Sequence, residues 1–194
     1  MRNVASKCKA QTASLRIAMA DFDDVSVRRS LENIFSNDAK ISMCHPFGEL
    51  SGPNDFYEGV YRQLLNAIQD LERRELIVLA GTTPEGQDWV GMMGNYMGTF
   101  TSPFLEIPPT GHLVHMRFHE FYRLESGRVT EVQAIWDIPE LMMQANAWPL
   151  APQLGKFMAT PGPMTQDGLT ATGDGILTMN HVIRMLTDLC KFPS

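Results

Sequence analysis

One stretch determines how this chain folds: residues 111–137 read GHLVHMRFHEFYRLESGRVTEVQAIWD. Within 114–124, apolar side chains recur at most even positions, and polar side chains fill most odd ones. A period of two is typical of a β-strand with one buried face. Residues 125–128 (Glu-Ser-Gly-Arg) mark a tight turn, because Gly127 can adopt a positive φ. The run 129–136 follows at once, so the stretch predicts a β-hairpin.

The odd positions of this hairpin carry polar and ionisable side chains. Arg117 and His119 share one face of the first strand, and Glu131, Gln133 and Asp137 share one face of the second. Such a face either contacts water or lines a pocket with polar groups at its base. The residues alone leave both interpretations open.

Three segments resemble the SnoaL-like polyketide cyclases, a family that includes the ester cyclases: FLEIPPTG (104–111), FYRLESGRV (121–129) and WD (136–137). The family pattern runs approximately F-x-G-I-P-P-T-G, then F-R-x-x-D-G-K-I-x-E-x-W, then D. Here Glu106 replaces the glycine, Ser126 the aspartate and Gln133 the tryptophan. The resemblance covers about residues 25–144. It implies the cone-shaped α+β fold of nuclear transport factor 2, with a curved antiparallel sheet, helices on its concave face and a pocket inside.

The order of the predicted elements agrees with an α+β fold. Helices are expected near 24–36 and 53–68, with a short strand at 40–45 between them. A meander of strands at 71–82 and 88–101 then leads into the hairpin, with connections too short for helical crossovers. The second meander strand contains three glycines, which weaken a flat strand but suit a bent one: Gly91, Gly94 and Gly98.

This domain is expected to span residues 21–146, between two segments of different composition. Residues 1–20 hold four basic side chains and no acidic one, and lack the apolar core of a secretory signal, so we expect a mobile basic tail. Residues 147–175 read as loop and linker. Residues 176–190 regain helical spacing, either as the first helix of a second domain or as a helix that packs on this domain or a partner subunit.

Composition narrows the function classes. The chain has 194 residues and a net charge of −6, and beyond residue 20 there are 12 basic against 22 acidic side chains. An acidic body argues against nucleic-acid binding. No apolar run approaches the roughly 20 residues that span a bilayer. The three cysteines are too widely spaced for a disulfide framework, which favours a reducing cytoplasm.

Neither a metal nor a cofactor is expected. His115 and His119 would share a strand face but lie about 13 Å apart at ~3.3 Å per residue, too far for one ion. The pair His119-Glu120 has no second histidine at helical zinc spacing.

Asp137 is the leading catalytic candidate. It matches the aspartate that acts as general acid/base in the SnoaL-like cyclases. A carboxylate in an apolar cleft has a raised pKa and can exchange protons near neutral pH, and Trp136 beside it would exclude water. The alternative is that Asp137 caps a helix beginning at Ile138. His119 is the second catalytic candidate, with Glu120 on the opposite face as its competitor.

Six further residues are candidates for substrate binding. Relatives often carry a histidine at the end of the first strand, and Arg117 could hold a carboxylate or enolate, although an ion pair with Glu131 is the simpler role. Methionines adapt to flat apolar ligands. The set is His45, Arg117, Gln133, Glu131, Trp136 and Met97.

Two functions remain open at this point. The resemblance implies a cofactor-free acid/base enzyme that closes rings by aldol-type chemistry on a small, largely apolar, polyketide-like compound. The alternative is a non-catalytic module that binds a small hydrophobic ligand or dimerises. The resemblance also implies a homodimer through the convex face of the sheet, for which Tyr122 and Val132 are the expected contacts.

Overall fold

Six strands form one sheet in a computed structural model that describes residues 2–151, 161–164 and 175–191. The strands are β1 (Phe35–Met43), β2 (Glu49–Ser51), β3 (Glu72–Thr82), β4 (Asp88–Thr99), β5 (Leu113–Glu125) and β6 (Arg128–Trp136). The helices are α1 (Arg2–Ala20), α2 (Asp24–Ile34), α3 (Gly52–Phe56), α4 (Arg62–Ala67), α5 (Ile138–Gln144) and α6 (Gly175–Leu189). A π-helical turn, Tyr57–Tyr61, joins α3 to α4. Within the described residues, no helix has both the length and the apolar character needed to cross a membrane.

The sheet is mixed. Its order is β2-β1-β6-β5-β4-β3, and every neighbouring pair is antiparallel except β1 and β6, which run parallel. The expected α+β arrangement is confirmed, and the expected antiparallel pairing holds at every junction of the sheet except this one. Strands β1 and β6 are separated by most of the domain, and such a long connection permits parallel pairing, whereas a hairpin does not.

The predicted hairpin is formed by β5 and β6. Phe118 lies opposite Trp136 and Glu120 opposite Ala134, and Gly127 takes a φ of +84° in the connecting turn. The even-numbered side chains of β5 from Val114 to Leu124 are buried, and the odd-numbered ones are partly or fully exposed. The alternation therefore does assign one face of the hairpin to the interior.

Strands β3 and β4 approach each other closely at Gly94. A Cβ at this position would lie 2.1 Å from the backbone oxygen of Arg74 and 2.9 Å from the ring of Phe118. Only glycine fits there, because those atoms belong to the neighbouring strands.

The concave face of the sheet is covered by α2 and by the helical stretch from α3 to α4. Their apolar stripes are buried against the sheet, including Val27, Leu31, Phe56, Val60 and Leu64. This covering agrees with the two helices predicted from the sequence.

Residues 2–20 form helix α1, which corrects the expectation of a mobile basic tail. The helix packs on β3, β4 and α2. Its buried residues recur at alternating intervals of three and four, the spacing of an amphipathic helix: Ala5, Cys8, Thr12, Leu15 and Met19. This stripe of buried side chains, rather than the basic charge of the segment, determines its structure.

Helix α5 closes the sheet where β6 stops. Beyond Trp136, the N–H of Asp137 donates to the Arg117 carbonyl at 2.8 Å. The side chains of α5 then bind the free edge of β5: Glu140 accepts from the N–H of Arg117 at 3.0 Å, and Gln144 accepts from the N–H of His115 at 3.0 Å. These bonds fix α5 at the open end of the cone.

The C-terminal part of the chain is described in two pieces. Gly162 packs on β3, where an added Cβ would lie 3.1 Å from the Cβ of Leu76. Helix α6 has an apolar stripe and no buried residue. Most of the predicted linker 147–175 lies outside the described residues.

Candidate functional site

The carboxylate of Glu120 lies in the interior of the cone. Its Oε1 accepts hydrogen bonds from Tyr96 Oη at 2.8 Å and Trp136 Nε1 at 3.0 Å. Its Oε2 accepts from Arg73 Nη1 at 2.8 Å. The side chains of Glu120 and Arg73 are 0% and 1% exposed, so this ion pair is removed from water.

Two more tyrosines complete the interior cluster. Tyr122 Oη donates to Oε2 of Glu120 at 2.9 Å, and Tyr61 Oη lies 3.4 Å from the same oxygen. The two hydroxyls are 3.3 Å apart. The carboxylate therefore has donors on both oxygens, all of them supplied by the chain itself.

The electrostatics of this cluster hold it in one protonation state. Burial alone would raise the pKa of Glu120, but the charge of Arg73 and the hydrogen bonds to the carboxylate outweigh it, so the pKa is lowered. Burial and the nearby Glu120 raise the pKa values of Tyr61 and Tyr122 well above their ordinary range. At neutral pH the carboxylate is ionised and these phenols are neutral. Groups held in one protonation state suit a structural role better than proton transfer.

A chain of charges connects this interior to the N-terminal helix. Arg73 Nε lies 3.5 Å from Glu75 Oε1, and Glu75 Oε2 lies 2.7 Å from Arg16 of α1. The two pairs link α1, through β3, to Glu120.

A cleft of about 670 Å³ lies beside the first turns of α5. Its walls come from the loop after β1, the loop between β4 and β5, and the start of α5. Six of its eight lining residues are apolar, and the set is His45, Pro46, Leu105, Glu106, Ile107, Ile138, Pro139 and Met142. Phe47, which follows the cleft-lining Pro46 in the chain, packs its ring 5.8 Å from the indole of the buried Trp136.

The wall formed by residues 104–107 is a tight two-residue turn. Phe104 and Ile107 exchange backbone hydrogen bonds of 3.2 and 2.8 Å, while Leu105 and Glu106 take φ angles of +50° and +66°. Positive φ at both central positions is the signature of a type I′ turn, which favours Asn-Gly. A side chain in this region costs roughly 1–2 kcal/mol per residue. The glycine of the family pattern corresponds to Glu106. A glycine at this position would adopt the positive φ without strain.

Asp137 lies at the junction of β6 and α5, next to the cleft. Its Oδ1 accepts from the N–H of Glu140 at 3.1 Å, which makes it the N-cap of α5. Its Oδ2 is 3.9 Å from Arg117 Nη1, and its side chain is 35% exposed. One carboxylate oxygen of Asp137 therefore caps the helix. The other, Oδ2, accepts no hydrogen bond from the described residues.

Several predicted site residues lie on the outer face of the sheet, away from Glu120. His119 is opposite Ile135 and Met93, and its pKa is lowered by burial and by the charge of Arg117. Gln133 is exposed and donates to Glu131 at 2.9 Å.

Three other predicted site residues also lie on the outer face: Met97, Arg117 and Glu131. Met97 lies opposite His115 in the β4–β5 pairing. Glu131 pairs with Arg123 at 3.0 Å, and Arg117 lies 3.5 Å from Glu140. The pair expected between Arg117 and Glu131 is therefore not formed.

Of the predicted site residues, His45 lines the cleft, Asp137 immediately precedes the cleft-lining Ile138, and Trp136 is buried. Sequence reasoning missed Leu105 and Glu106. The signal for Glu106 was present, because it stands where the family pattern has glycine. No group of three or more potential metal ligands occurs within the described part of the chain.

Comparison with known proteins supports the same family. A family model described as SnoaL-like polyketide cyclase matches residues 15–145. AclR from Streptomyces galilaeus, a proposed hydroxylase, superposes with a TM-score of 0.61 at 19% identity, covering 77% of this chain and 91% of that one. A proposed SnoaL-like polyketide cyclase from Jannaschia sp. CCS1 gives 0.60 at 20% identity, covering 76% and 96%.

IdmH from Streptomyces antibioticus, a proposed polyketide cyclase, gives a TM-score of 0.58 at 20% identity, covering 71% of this chain and 97% of that one. At these identities the structural likenesses show a shared fold. No curated protein sequence matches this one significantly.

Proposed function

Because this chain belongs to the SnoaL-like polyketide cyclase family, we propose that it binds a small, largely apolar, polyketide-like compound in the cleft described above. We propose that it acts on this compound by acid/base chemistry without a cofactor. The observation that carries the proposal is the cleft itself. It is lined mainly by apolar side chains, and ionisable groups stand at its border. The interior, by contrast, is filled by aromatic side chains and by a carboxylate whose partners are all internal.

Asp137 is the proposed proton carrier. Its position immediately before the cleft-lining Ile138 supports this role, as does the oxygen that capping leaves for a substrate proton. In an intramolecular aldol closure the carboxylate takes a proton from carbon, the enolate carbon attacks a carbonyl of the same molecule, and the new alkoxide receives a proton. His45 is the proposed hydrogen-bonding partner for the oxygen, in place of His119 on the outer face.

The test is to narrow the cleft without touching Asp137. A panel of polyketide-like aromatic ketones is incubated with wild type, Met142→Trp and the control Leu150→Trp, whose site is exposed and outside the cleft lining. Binding is measured by ligand-observed NMR and conversion by mass spectrometry. We expect Met142→Trp to lose both, and Leu150→Trp to retain both. Undiminished binding in Met142→Trp contradicts the cleft as the ligand site.

A second candidate is a binding module without catalysis. The capping bond from Glu140 to Asp137 favours it, because this bond gives the carboxylate a structural role. The same panel separates the two, since a module binds compounds and converts none of them.

We also propose the homodimer that the family resemblance implies, with a changed contact set. Tyr122 and Val132 are buried and cannot contribute. The outer face instead exposes Leu79, Phe121 and Ile135 by 45, 42 and 59%. Light scattering on wild type and Phe121→Lys is the test, with Val25→Lys as the exposed control, because Val25 lies on α2 at the opposite face of the sheet. A wild-type monomer at micromolar concentration contradicts the dimer.

A cytoplasmic location remains part of the proposal. All three cysteines are free thiols: Cys8, Cys44 and Cys190. This usage suits a reducing compartment.

A further inference from the structure

The turn at Leu105–Glu106, in the wall of the cleft, places two non-glycine residues in an unfavourable backbone conformation. Both residues hold the positive φ that a type I′ turn reserves for glycine and asparagine. Strained backbone of this kind persists only where the surrounding structure imposes it, and it concentrates at binding and catalytic sites. Here the two strained residues lie at the proposed ligand site, because both side chains line the cleft.

The chemistry of the cleft gives Glu106 a distinct character. Among the described residues that line it, Glu106 is the one carboxylate, His45 is the other ionisable group, and neither lysine nor arginine is present. The adjoining Asp137 adds a second acidic group, and its neighbour Arg117 is directed to Glu140 and Asp137. Such a site attracts hydrogen-bond donors and cations, and it repels carboxylates.

We propose that Glu106 determines ligand specificity by accepting a hydrogen bond from a hydroxyl or ammonium group on the apolar ligand. This inference rests on the proposed function, because it assigns the ligand to the same cleft. The body of the ligand packs on Leu105, Ile107 and Met142, and the polar group of the ligand faces Glu106. Charge-assisted hydrogen bonds are shorter and stronger than neutral ones, so this contact discriminates between otherwise similar ligands.

Two variants separate the charge of Glu106 from its strained backbone. Glu106→Gln removes the charge and keeps a side chain at positive φ, whereas Glu106→Gly removes the charge and relieves the strain. Glu85→Gln is the matched control, since Glu85 is an exposed residue in a different loop. The full chain is used throughout.

The probes are 1-naphthol, 1-naphthylmethylamine and 1-naphthoate, which share one ring system and differ in the polar group. Binding is measured by ligand-observed NMR titration, and thermal unfolding is followed by circular dichroism. We expect the naphthol and the amine to bind the wild type roughly two- to fivefold more tightly than either Glu106 variant, the range for a charged contact at an exposed side chain. Naphthoate should bind the variants better than the wild type. Only Glu106→Gly should also raise the unfolding midpoint, by roughly 2–4 °C.

The outcomes distinguish this inference from the proposed function. If all three probes bind and the Glu106 variants discriminate among them as the wild type does, Glu106 has no role in specificity and the cleft proposal stands. If no probe binds the wild type at millimolar concentration, this inference is overturned, whereas the cleft proposal is decided by the ketone panel with Met142→Trp. Loss of affinity in Glu85→Gln equal to that in Glu106→Gln assigns the effect to overall charge and rejects the inference.

Discussion

Nη1 of Arg73 lies 2.8 Å from Oε2 of Glu120, and both side chains are buried beneath the helices that cover the sheet. A buried ion pair is not by itself evidence of stability, because both charges have lost their hydration. Removal of one partner is a different matter, since it leaves the other charge buried and uncompensated.

Glu120→Gln should therefore destabilise the protein by about 3–5 kcal/mol, the usual cost of breaking a buried pair. The measurement is urea unfolding followed by circular dichroism. Glu131→Gln is the matched control, because Glu131 pairs with Arg123 in a partly exposed position and its loss should cost at most about 1 kcal/mol. Equal losses in the two variants would show that the interior pair contributes no more than a surface pair.

The pH dependence of stability should report the same carboxylate. The pKa of Glu120 in the folded protein is below its ordinary value of 4.5, so the unfolded state binds more protons in the interval between the two pKa values. The stabilisation is therefore fully present above pH 4.5 and is lost as the pH falls through the lower, folded-state pKa.

The pH experiment compares the unfolding free energies of wild type and Glu120→Gln from pH 7 to pH 3. The wild type should lose more stability on acidification than the variant, because the variant has no proton to bind at this position. Parallel curves would show that other carboxylates account for the acid sensitivity.

Asp137 has two proposed roles that respond differently to substitution. Asparagine caps a helix about as well as aspartate, so Asp137→Asn should change stability by less than about 1 kcal/mol, while Asp137→Ala should lose about 1 kcal/mol. If Asp137 also carries the proton, Asp137→Asn should lower turnover by about 10²–10⁴, with little change in ligand affinity. Turnover that survives in Asp137→Asn leaves capping as the role of this residue.

Close packing at Gly94 predicts a large effect from one methyl group. Gly94→Ala would place Cβ 2.1 Å from the Arg74 oxygen, and strands β3 and β4 would have to separate. We expect a destabilisation of about 1–3 kcal/mol or more, as for overpacked sites, measured by thermal unfolding. Gly81→Ala on β3 is the control, because no atom lies within 4 Å of its added Cβ. Similar midpoints in the two variants would refute the steric argument.

The faces of the hairpin were predictable, but the face that holds the interior carboxylate was not. Alternation along β5 correctly separates His119 from Glu120. The polar odd positions left open whether their side contacts water or lines a pocket, and they form the outer face. Glu120 breaks the apolar even series. Two of its partners, Tyr122 and Trp136, belong to the same hairpin, but the other three come from β3, β4 and the π-helical turn, which no local pattern connects to it.

The turn at Glu106 marks a different limit of sequence reasoning. The Leu-Glu pair gives no local indication of positive φ, and only the family pattern, with glycine at the second position, pointed to it. Helix α1 could have been predicted, since the spacing of apolar residues from Ala5 to Met19 is visible in the sequence.

The side chains of α5 also protect the protein from self-association through its sheet. Where β6 ends at Trp136, the edge of β5 would expose backbone N–H and C=O groups to any extended segment of another molecule, which is how strand addition and aggregation begin. Glu140 and Gln144 already occupy these groups. Displacement of this short helix would therefore do more than open the cleft, because it would convert the end of the cone into a template for intermolecular β-pairing.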